Sequence, residues 1–358
     1  MTGRDIYEKL MREIAAGKFA KDGKLPSEAK LGDAFGVSRM TVRGALAELQ
    51  RQGLIEKRNG AGSFLTRRAL RTSGIIGLVI PNFESFEFFS GIKDELERHC
   101  KRLNYCVRLV FTRERKHDAA IRDIRRKVRE LAVARAEGVV FRPYVDETFA
   151  AANREVVRIC QRAEIPVVLI DSDITRPPER SDCDLVAVNN IDAGRRIADH
   201  LHHRGYRHIA FLSERLKNVR NSNWDNRLFG LAGELALLGS ATGVRSLDFA
   251  PTDARALAAA LRGKSRIDAI VCGNDERAVA LLKTLAKLGK RVPDDVAVVG
   301  FDDIALARTT IPPLTTISQP VREIAATAFK TLLARIRYPT ADPREIFLTA
   351  PLVPRCST

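Results

Sequence analysis

Residues 25–65 read LPSEAKLGDAFGVSRMTVRGALAELQRQGLIEKRNGAGSFL, a stretch that carries its own punctuation. Pro26 fixes the approach, Ser27 is a good N-cap, and Glu28 falls in the first turn, where the helix dipole favours an acid. The helix then stops at Gly36, a residue suited to the left-handed position past a helix end. Only Val37 intervenes before Ser38, which caps a second helix running to about Gln52, with Gly53 closing it. Two short helices joined by a glycine-containing turn form a helix-turn-helix. On the second helix Val42, Ala45, Leu46 and Leu49 share one face and belong to a core. Arg39, Thr41 and Arg43 crowd the opposite, N-terminal end, the part of a recognition helix that enters the major groove of DNA. An arginine there bridges O6 and N7 of guanine, and a threonine bonds a phosphate or touches a thymine methyl. LIEKR and SFL then frame Asn59-Gly60-Ala61-Gly62 as a glycine-tipped hairpin wing flanked by Lys57 and Arg58. Ahead of this stretch Ile6, Leu10 and Ile14 recur every fourth residue and predict a helix ending near Gly17.

Charge concentrates in the same region. The 358-residue chain has a formal net charge of +16, and residues 1–71 hold 15 Lys/Arg against 8 Asp/Glu. A basic domain of this kind suggests a polyanionic partner such as double-stranded DNA. The length suits one small and one large domain. No apolar run approaches the ~18–20 residues that span a bilayer. The start, MTGRDIYEKLMREIAAG, lacks the basic head and apolar core of a signal peptide. These features predict a cytoplasmic protein with no membrane partner. Cys100, Cys106, Cys160, Cys183, Cys272 and Cys356 show no CxxC or Cys/His spacing, so zinc and thioredoxin-like readings fail. Reduced, mostly buried thiols are expected.

Residues 1–66 thus form one domain, and 67–73 read as a basic, aperiodic linker. From Gly74 to residue 358 short apolar strands alternate with helices. IIGLVI (75–80), VRLVF (107–111), GVVF (138–141), PVVLID (166–171), LVAVN (185–189), HIAFLS (208–213), RSLDF, DAIVC and VAVVGFDD are the strand runs. The pattern predicts an α/β architecture with parallel sheets, long enough for two lobes. Ligands of open α/β sheets gather at the carboxyl ends of strands. The polar residues just past those ends are therefore candidates: Asp171, Asn274, Asp275, Asp302 and Asp303. Each also suits a cap or turn. No Gly-rich dinucleotide turn, P-loop, GxSxG or HExxH is present, so no cofactor, metal or catalytic set is expected. The basic stretch Arg113–Arg129 reads as a solvated helix face.

The first domain resembles the GntR family of winged helix-turn-helix regulators, on LPSE (25–28), GVSRMTVRGAL (36–46), GLI (53–55) and GAGSFL (60–65). That resemblance implies that Arg39, Thr41 and Arg43 address bases or phosphates. Ser27 and Glu28 would lie near the DNA backbone, with Gly60 and Gly62 at the wing tip beside Lys57 and Arg58. Residues 74–355 resemble the periplasmic-binding-protein-like sensor of LacI/GalR-family regulators. The carrying segments are VAVNNIDAGRRIADHLHHRGYRHIAFL (186–212), CGNDERAVALL (272–282), VPDDVAVVGFDD (292–303) and PLTTISQP (313–320). The combination of the two is similar to the arabinose-responsive AraR regulators. The resemblance implies a ligand held from both lobes by Asp171, Arg227, Asn274 and Asp302, with Gln319 at a crossover between lobes. Phe249 would stack on the ligand, Phe83, Phe86 and Phe88 would wall the pocket, and NSNWDN (221–226) would supply Asn223 or Trp224. Phe86 and Phe88 also suit a core, and Arg227 a surface pair.

Together these readings predict a homodimeric repressor of carbohydrate-utilisation genes whose grip on operator DNA is relieved by a small sugar. The mixture of acids, amides, arginine and aromatics favours a neutral one. A corepressor-type regulator of the same fold is the alternative, and a sugar-metabolising enzyme a remoter one.

Overall fold

The computed structural model describes residues 2–15, 18–19, 22–51, 53–58, 60–66, 73–81, 87–114, 116–176, 178–213, 222–240, 243–262 and 267–358. The N-terminal domain comprises α1 (Gly3–Ala15), α2 (Glu28–Phe35), α3 (Arg39–Arg51), β1 (Ile55–Arg58) and β2 (Gly62–Leu65). Its punctuation is the one read from the sequence. Ser27 Oγ accepts the Lys30 amide at 3.3 Å, and Gly36 takes φ 66° to end α2. β1 and β2 pair antiparallel with Ile55 opposite Leu65 and Arg58 opposite Gly62, which completes the wing. Ile6, Leu10, Leu31, Val42, Leu46 and Leu49 fill a core of their own, each nearly inaccessible to solvent.

Beyond the linker, of which residues 67–72 lie outside the described residues, two parallel sheets follow. The first lobe contains β3 (Ile75–Val79), α4 (Glu87–Arg102), β4 (Cys106–Val110), α5 (His117–Val133), β5 (Gly138–Phe141), α6 (Ala150–Arg162), β6 (Val167–Ile170) and β7 (Asp184–Val188). The second contains α7 (Asn190–His203), β8 (Ile209–Leu212), α8 (Ser222–Leu237), β9 (Arg245–Leu247), α9 (Ala254–Arg262), β10 (Ala269–Cys272), α10 (Asp275–Lys287), β11 (Ala297–Val299) and α11 (Ala305–Thr309). The chain then passes through β12 (Thr316–Ile317), returns to the first lobe as α12 (Val321–Arg337) and β13 (Glu345–Leu348), and ends on β14 (Leu352–Val353). The sheet orders are β13-β7-β6-β5-β3-β4 and β11-β10-β8-β9, with every pairing parallel. Strands buried on both faces must be apolar throughout, which is why GVVF, VVLI and AIVC are uninterrupted. The return through α12 and β13 is the element that the strand-by-strand reading did not contain. It packs Ile324, Ala328, Phe329 and Leu332 beneath the first sheet.

Strand order reverses beside β3 in the first sheet and beside β8 in the second, so each carboxyl edge has a crevice there. Four of the six cysteines are buried and all are free, and burial pushes the Cys100 and Cys160 thiols up to about 12. Among the described residues no helix is long and apolar enough to cross a membrane.

α7 and α8 approach until backbone meets backbone. A Cβ on Gly194 would stand 2.1 Å from the Arg227 carbonyl oxygen, and one on Gly230 would stand 2.0 Å from that of Ile191. Neither neighbour is a flexible tip, so the helices must separate if either glycine is replaced. We expect Gly230→Ala to lower stability in urea titration by about 1–3 kcal/mol, the usual range for overpacking. Gly233→Ala, one turn along α8 with open space around it, is expected to be neutral or stabilising by up to ~1 kcal/mol through helix propensity.

Candidate functional site

The exposed end of α3 carries the DNA-facing candidates. Ser38 Oγ accepts the Thr41 amide at 3.2 Å and lies 2.8 Å from Thr41 Oγ1, so the threonine hydroxyl is fixed by its own cap. Arg39 and Arg43 are exposed on either side of it. Arg43 donates through Nε and Nη2 to Glu28 Oε2, both at 3.2 Å, and Lys57 Nζ reaches Glu28 Oε1 at 3.5 Å. One carboxylate therefore ties α2, α3 and the wing together. Burial alone would raise the Glu28 carboxyl. The Arg43 hydrogen bonds and the charges of Arg43 and Lys57 outweigh it and hold the group below its ordinary value. Arg58 pairs with Glu56 at 2.7 Å and lies over the Phe64 ring, 4.4 Å from its centroid. Gly60 and Gly62 turn the wing at φ 72° and 104°, a backbone region that L side chains rarely adopt. Ser27 and Glu28, expected against a DNA backbone, thus have structural work inside the domain as cap and as ion-pair partner.

In the larger domain the side chains beyond the strand ends converge from both lobes. Asp171 follows β6 with φ 72°, and its carboxylate accepts Arg142 Nε on Oδ2 at 3.1 Å and Asn223 Nδ2 on Oδ1 at 2.8 Å. Asp171 and Arg142 belong to the first lobe and Asn223 to α8 of the second, so this chain of bonds crosses the cleft. One turn along α8, Arg227 is 5% exposed. It donates through Nε to Asn190 Oδ1 at 2.8 Å and through Nη1 to the Gly273 carbonyl at 2.5 Å. Its guanidinium lies 3.3 Å from the Phe301 ring centroid. Burial drops Arg227 to about 10, against the pull of Asp302, Asp171 and Asp275.

Asp302 leaves β11 at φ 121° and accepts Gln319 Nε2 on Oδ1 at 2.6 Å. Its carboxyl is pushed up to about 7 chiefly by burial, with Asp275 and Asp171 adding to the rise and Arg227 and Gln319 opposing it. Asp303 has the opposite fate. Arg355 at 2.5 Å and Arg308 at 3.2 Å hold it, and these partners outweigh its burial and keep it below the usual carboxylate range. Asp275 is fully buried between Thr316 Oγ1 at 2.6 Å and the Ile304 amide at 3.0 Å, so it serves the framework.

Asp171, Asn223, Arg227, Asp302 and Gln319 are therefore brought together as the sequence suggests. Asn274 is adjacent, with its Oδ1 capping α10 through the Arg277 amide at 3.1 Å. Phe88 stands edge-on to Phe89 at 5.0 Å against the main core. Phe249 is half-buried against the core of the second lobe. Phe83 and Phe86 lie outside the described residues. The sequence reading missed Arg142, whose guanidinium sits 4.9 Å from the Phe89 centroid. Its signal was available: it is the first residue past β5, the position that Asp171 occupies past β6.

Against known proteins, residues 2–65 match the model of bacterial regulatory proteins of the gntR family, and 198–358 match that of the periplasmic binding protein-like domain. The arabinose metabolism transcriptional repressor of Geobacillus stearothermophilus is 28% identical over 99% of this chain and 96% of its own length. The HTH-type transcriptional repressor PurR of Vibrio campbellii is 30% identical over 73% of this chain and 74% of its own. Among solved structures, a transcriptional regulator CelR–cellobiose complex superposes with a TM-score of 0.66 at 22% identity, over 93% of this chain and all of that one. The chain belongs to the bacterial HTH-type transcriptional repressors, with a gntR-family DNA-binding domain joined to a periplasmic binding protein-like domain.

Proposed function

We propose that this repressor controls carbohydrate-utilisation genes as a homodimer in the cytoplasm, and that a small sugar bound in the cleft weakens its hold on operator DNA. The observation that carries the reading is the polar cluster of Asp171, Asn223, Arg227, Asp302 and Gln319, assembled from both lobes at the carboxyl edges of two parallel sheets. Acids and amides accept from and donate to hydroxyls, so a ligand seated there binds both lobes at once and biases their relative rotation. A relative named for arabinose metabolism and a structural neighbour holding cellobiose support a sugar. The acids of the cluster are bonded to amides and guanidinium groups, which suits holding a ligand and not turning it over. We therefore read the chain as a binding module and not as an enzyme. Two α3 helices related by a dimer axis would read two half-sites, and the ligand relieves repression if it favours the arrangement that grips DNA poorly. A thermal-shift screen over pentoses, hexoses and uronic acids tests this directly. A true ligand at 100 times its dissociation constant adds about 2.7 kcal/mol of stability, and a flat response to all of them contradicts the reading.

At the reader, Arg43→Ala is expected to weaken operator binding by about 1–3 kcal/mol while leaving dimerisation intact, as measured by fluorescence anisotropy on labelled operator. Unchanged affinity would remove Arg43 from the contact surface.

In the sensor, Asp302→Ala is expected to lower ligand affinity by roughly ten- to hundredfold, because each desolvated ligand hydroxyl left without an acceptor costs about 1–3 kcal/mol. Operator binding without ligand should persist, which makes the variant a repressor deaf to inducer. Asp303→Ala should keep ligand affinity and instead melt at a lower temperature, since it strips Arg355 and Arg308 of their partner. Calorimetry on the two variants separates the roles, and an exchange of the two phenotypes would move the cleft by one residue.

A further inference from the structure

The outer ridge of α3 holds a residue that neither the domain core nor the contacts above employ. Val42, Ala45, Leu46 and Leu49 turn one face of this helix into the core. Met40, Gly44, Ala47 and Arg51 follow one another at spacings of four, three and four residues and form the opposite ridge, exposed along its length. Met40 is 69% exposed, and among the described residues of the N-terminal domain no other large apolar side chain is left open to solvent in this way. It stands in the first turn of α3 between Arg39 and Thr41, at the end of a recognition helix that reaches base edges.

A thioether donates no hydrogen bond, so Met40 gains nothing from a phosphate. In the major groove the one apolar feature on a base edge is the C5 methyl of thymine. By residue type Thr41 competes for that methyl. Its hydroxyl is held 2.8 Å from Ser38 Oγ, its amide is bonded to the same oxygen, and its side chain is half-buried on the flank of the ridge. Met40 has no such tie to the domain. One turn on, a Cβ built on Gly44 would meet nothing within 4 Å, so no contact inside the chain demands a residue this small. A close approach from outside does demand it, at an exposed helix-interior position where glycine is a weak helix former. With only Gly44 and Ala47 behind Met40 the ridge is low, and the helix can sink toward the floor of the groove.

We propose that Met40 reads a thymine in each operator half-site by packing its side chain on the C5 methyl, and that Gly44 supplies the clearance that brings the helix near enough. This rests on α3 as the reader and is independent of the ligand. It moves the thymine contact from Thr41, which residue type alone favours, to Met40. Arg39 and Arg43 run beside the ridge, so the apolar contact lies next to groups that bond guanine or phosphate.

The test uses the full-length protein and the duplex that it enriches from a randomised DNA library. Each thymine of that duplex is replaced in turn by deoxyuridine, symmetrically in both half-sites, which removes the methyl and leaves every hydrogen-bonding group in place. Affinity is read by fluorescence anisotropy. At one thymine the loss should be about fourfold per half-site, the worth of one buried methyl. In Met40→Ala the same replacement should cost nothing, whereas Met40→Leu should keep the loss. Met40→Ala is expected to fold, since the side chain is exposed and alanine is the stronger helix former. Gly44→Leu should melt no lower than the parent yet bind the duplex at least about tenfold more weakly. Equal deoxyuridine losses in the parent and Met40→Ala, or no loss at any thymine, overturn the methyl contact. A loss that vanishes in Thr41→Ser instead returns the contact to Thr41, and Gly44→Leu binding like the parent overturns the close approach. If Arg43→Ala still weakens binding in those cases, only the present assignment falls. If Arg43→Ala also binds like the parent, or no duplex is enriched, the reading of α3 falls with it.

Discussion

One buried guanidinium holds the sensor's working parts in register. Arg227 reaches from α8 to the start of α7 through Asn190, to the end of β10 through the Gly273 carbonyl, and across the ring of Phe301 at the end of β11. Three segments distant in sequence are thereby tied to a single side chain in a place where water cannot substitute for it. Its position is possible only because Gly194 and Gly230 let α7 and α8 touch along their backbones. The packing of two helices thus determines where the charge stands. A framework that fixes a cation this rigidly has organised its electrostatics before any ligand arrives.

The neighbouring aspartates after β11 show how little separates a site from a scaffold. Asp302 and Asp303 are the same residue type, one position apart, and both take positive φ. The backbone turn sends the first carboxylate toward Gln319 and the cleft and the second toward Arg355 and Arg308. Their acidities move in opposite directions for that reason, one raised by burial and one lowered by two guanidinium partners. Local sequence does not distinguish them, since the deciding partners come from residues 319 and 355.

Much of the architecture was nonetheless legible. The N-terminal domain is written in caps and glycines, and Ser27, Gly36 and the Gly60/Gly62 tip act where their chemistry places them, because each answers to its immediate neighbours. The central strands were equally clear, since a doubly covered parallel strand must be an unbroken apolar run, whereas β12, β13 and β14, short or half-exposed, were not read. Lobe membership was not clear either. Nothing in VREIAATAFKTLLARIR states that this amphipathic helix packs under a sheet begun some 250 residues earlier, because that choice depends on non-local pairing of β13 with β7. The aromatic candidates fared differently from the polar ones for a similar reason. An aspartate past a strand has few destinations, whereas Phe88 and Phe249 suit core and cleft equally, and both meet a core.

The return of the chain to its first lobe also sets an order of assembly. β13 forms the edge of the six-stranded sheet beside β7, and α12 covers β5, β6 and β7, yet both follow the whole of the second lobe in sequence. During synthesis, which proceeds from the N-terminus, the DNA-binding domain can close as soon as residue 66 is free. The sensor's first lobe must wait, the face of β5, β6 and β7 beside α4 still uncovered, until residues 321–348 emerge. The second lobe, sequence-continuous from α7 to α11, can fold in that interval. A nascent chain would therefore hold a finished reader well before it holds a finished sensor, and the last residues to dock would be Arg355–Thr358, which close on Asp303 and Val298 at the edge of the second sheet and on His200 of α7.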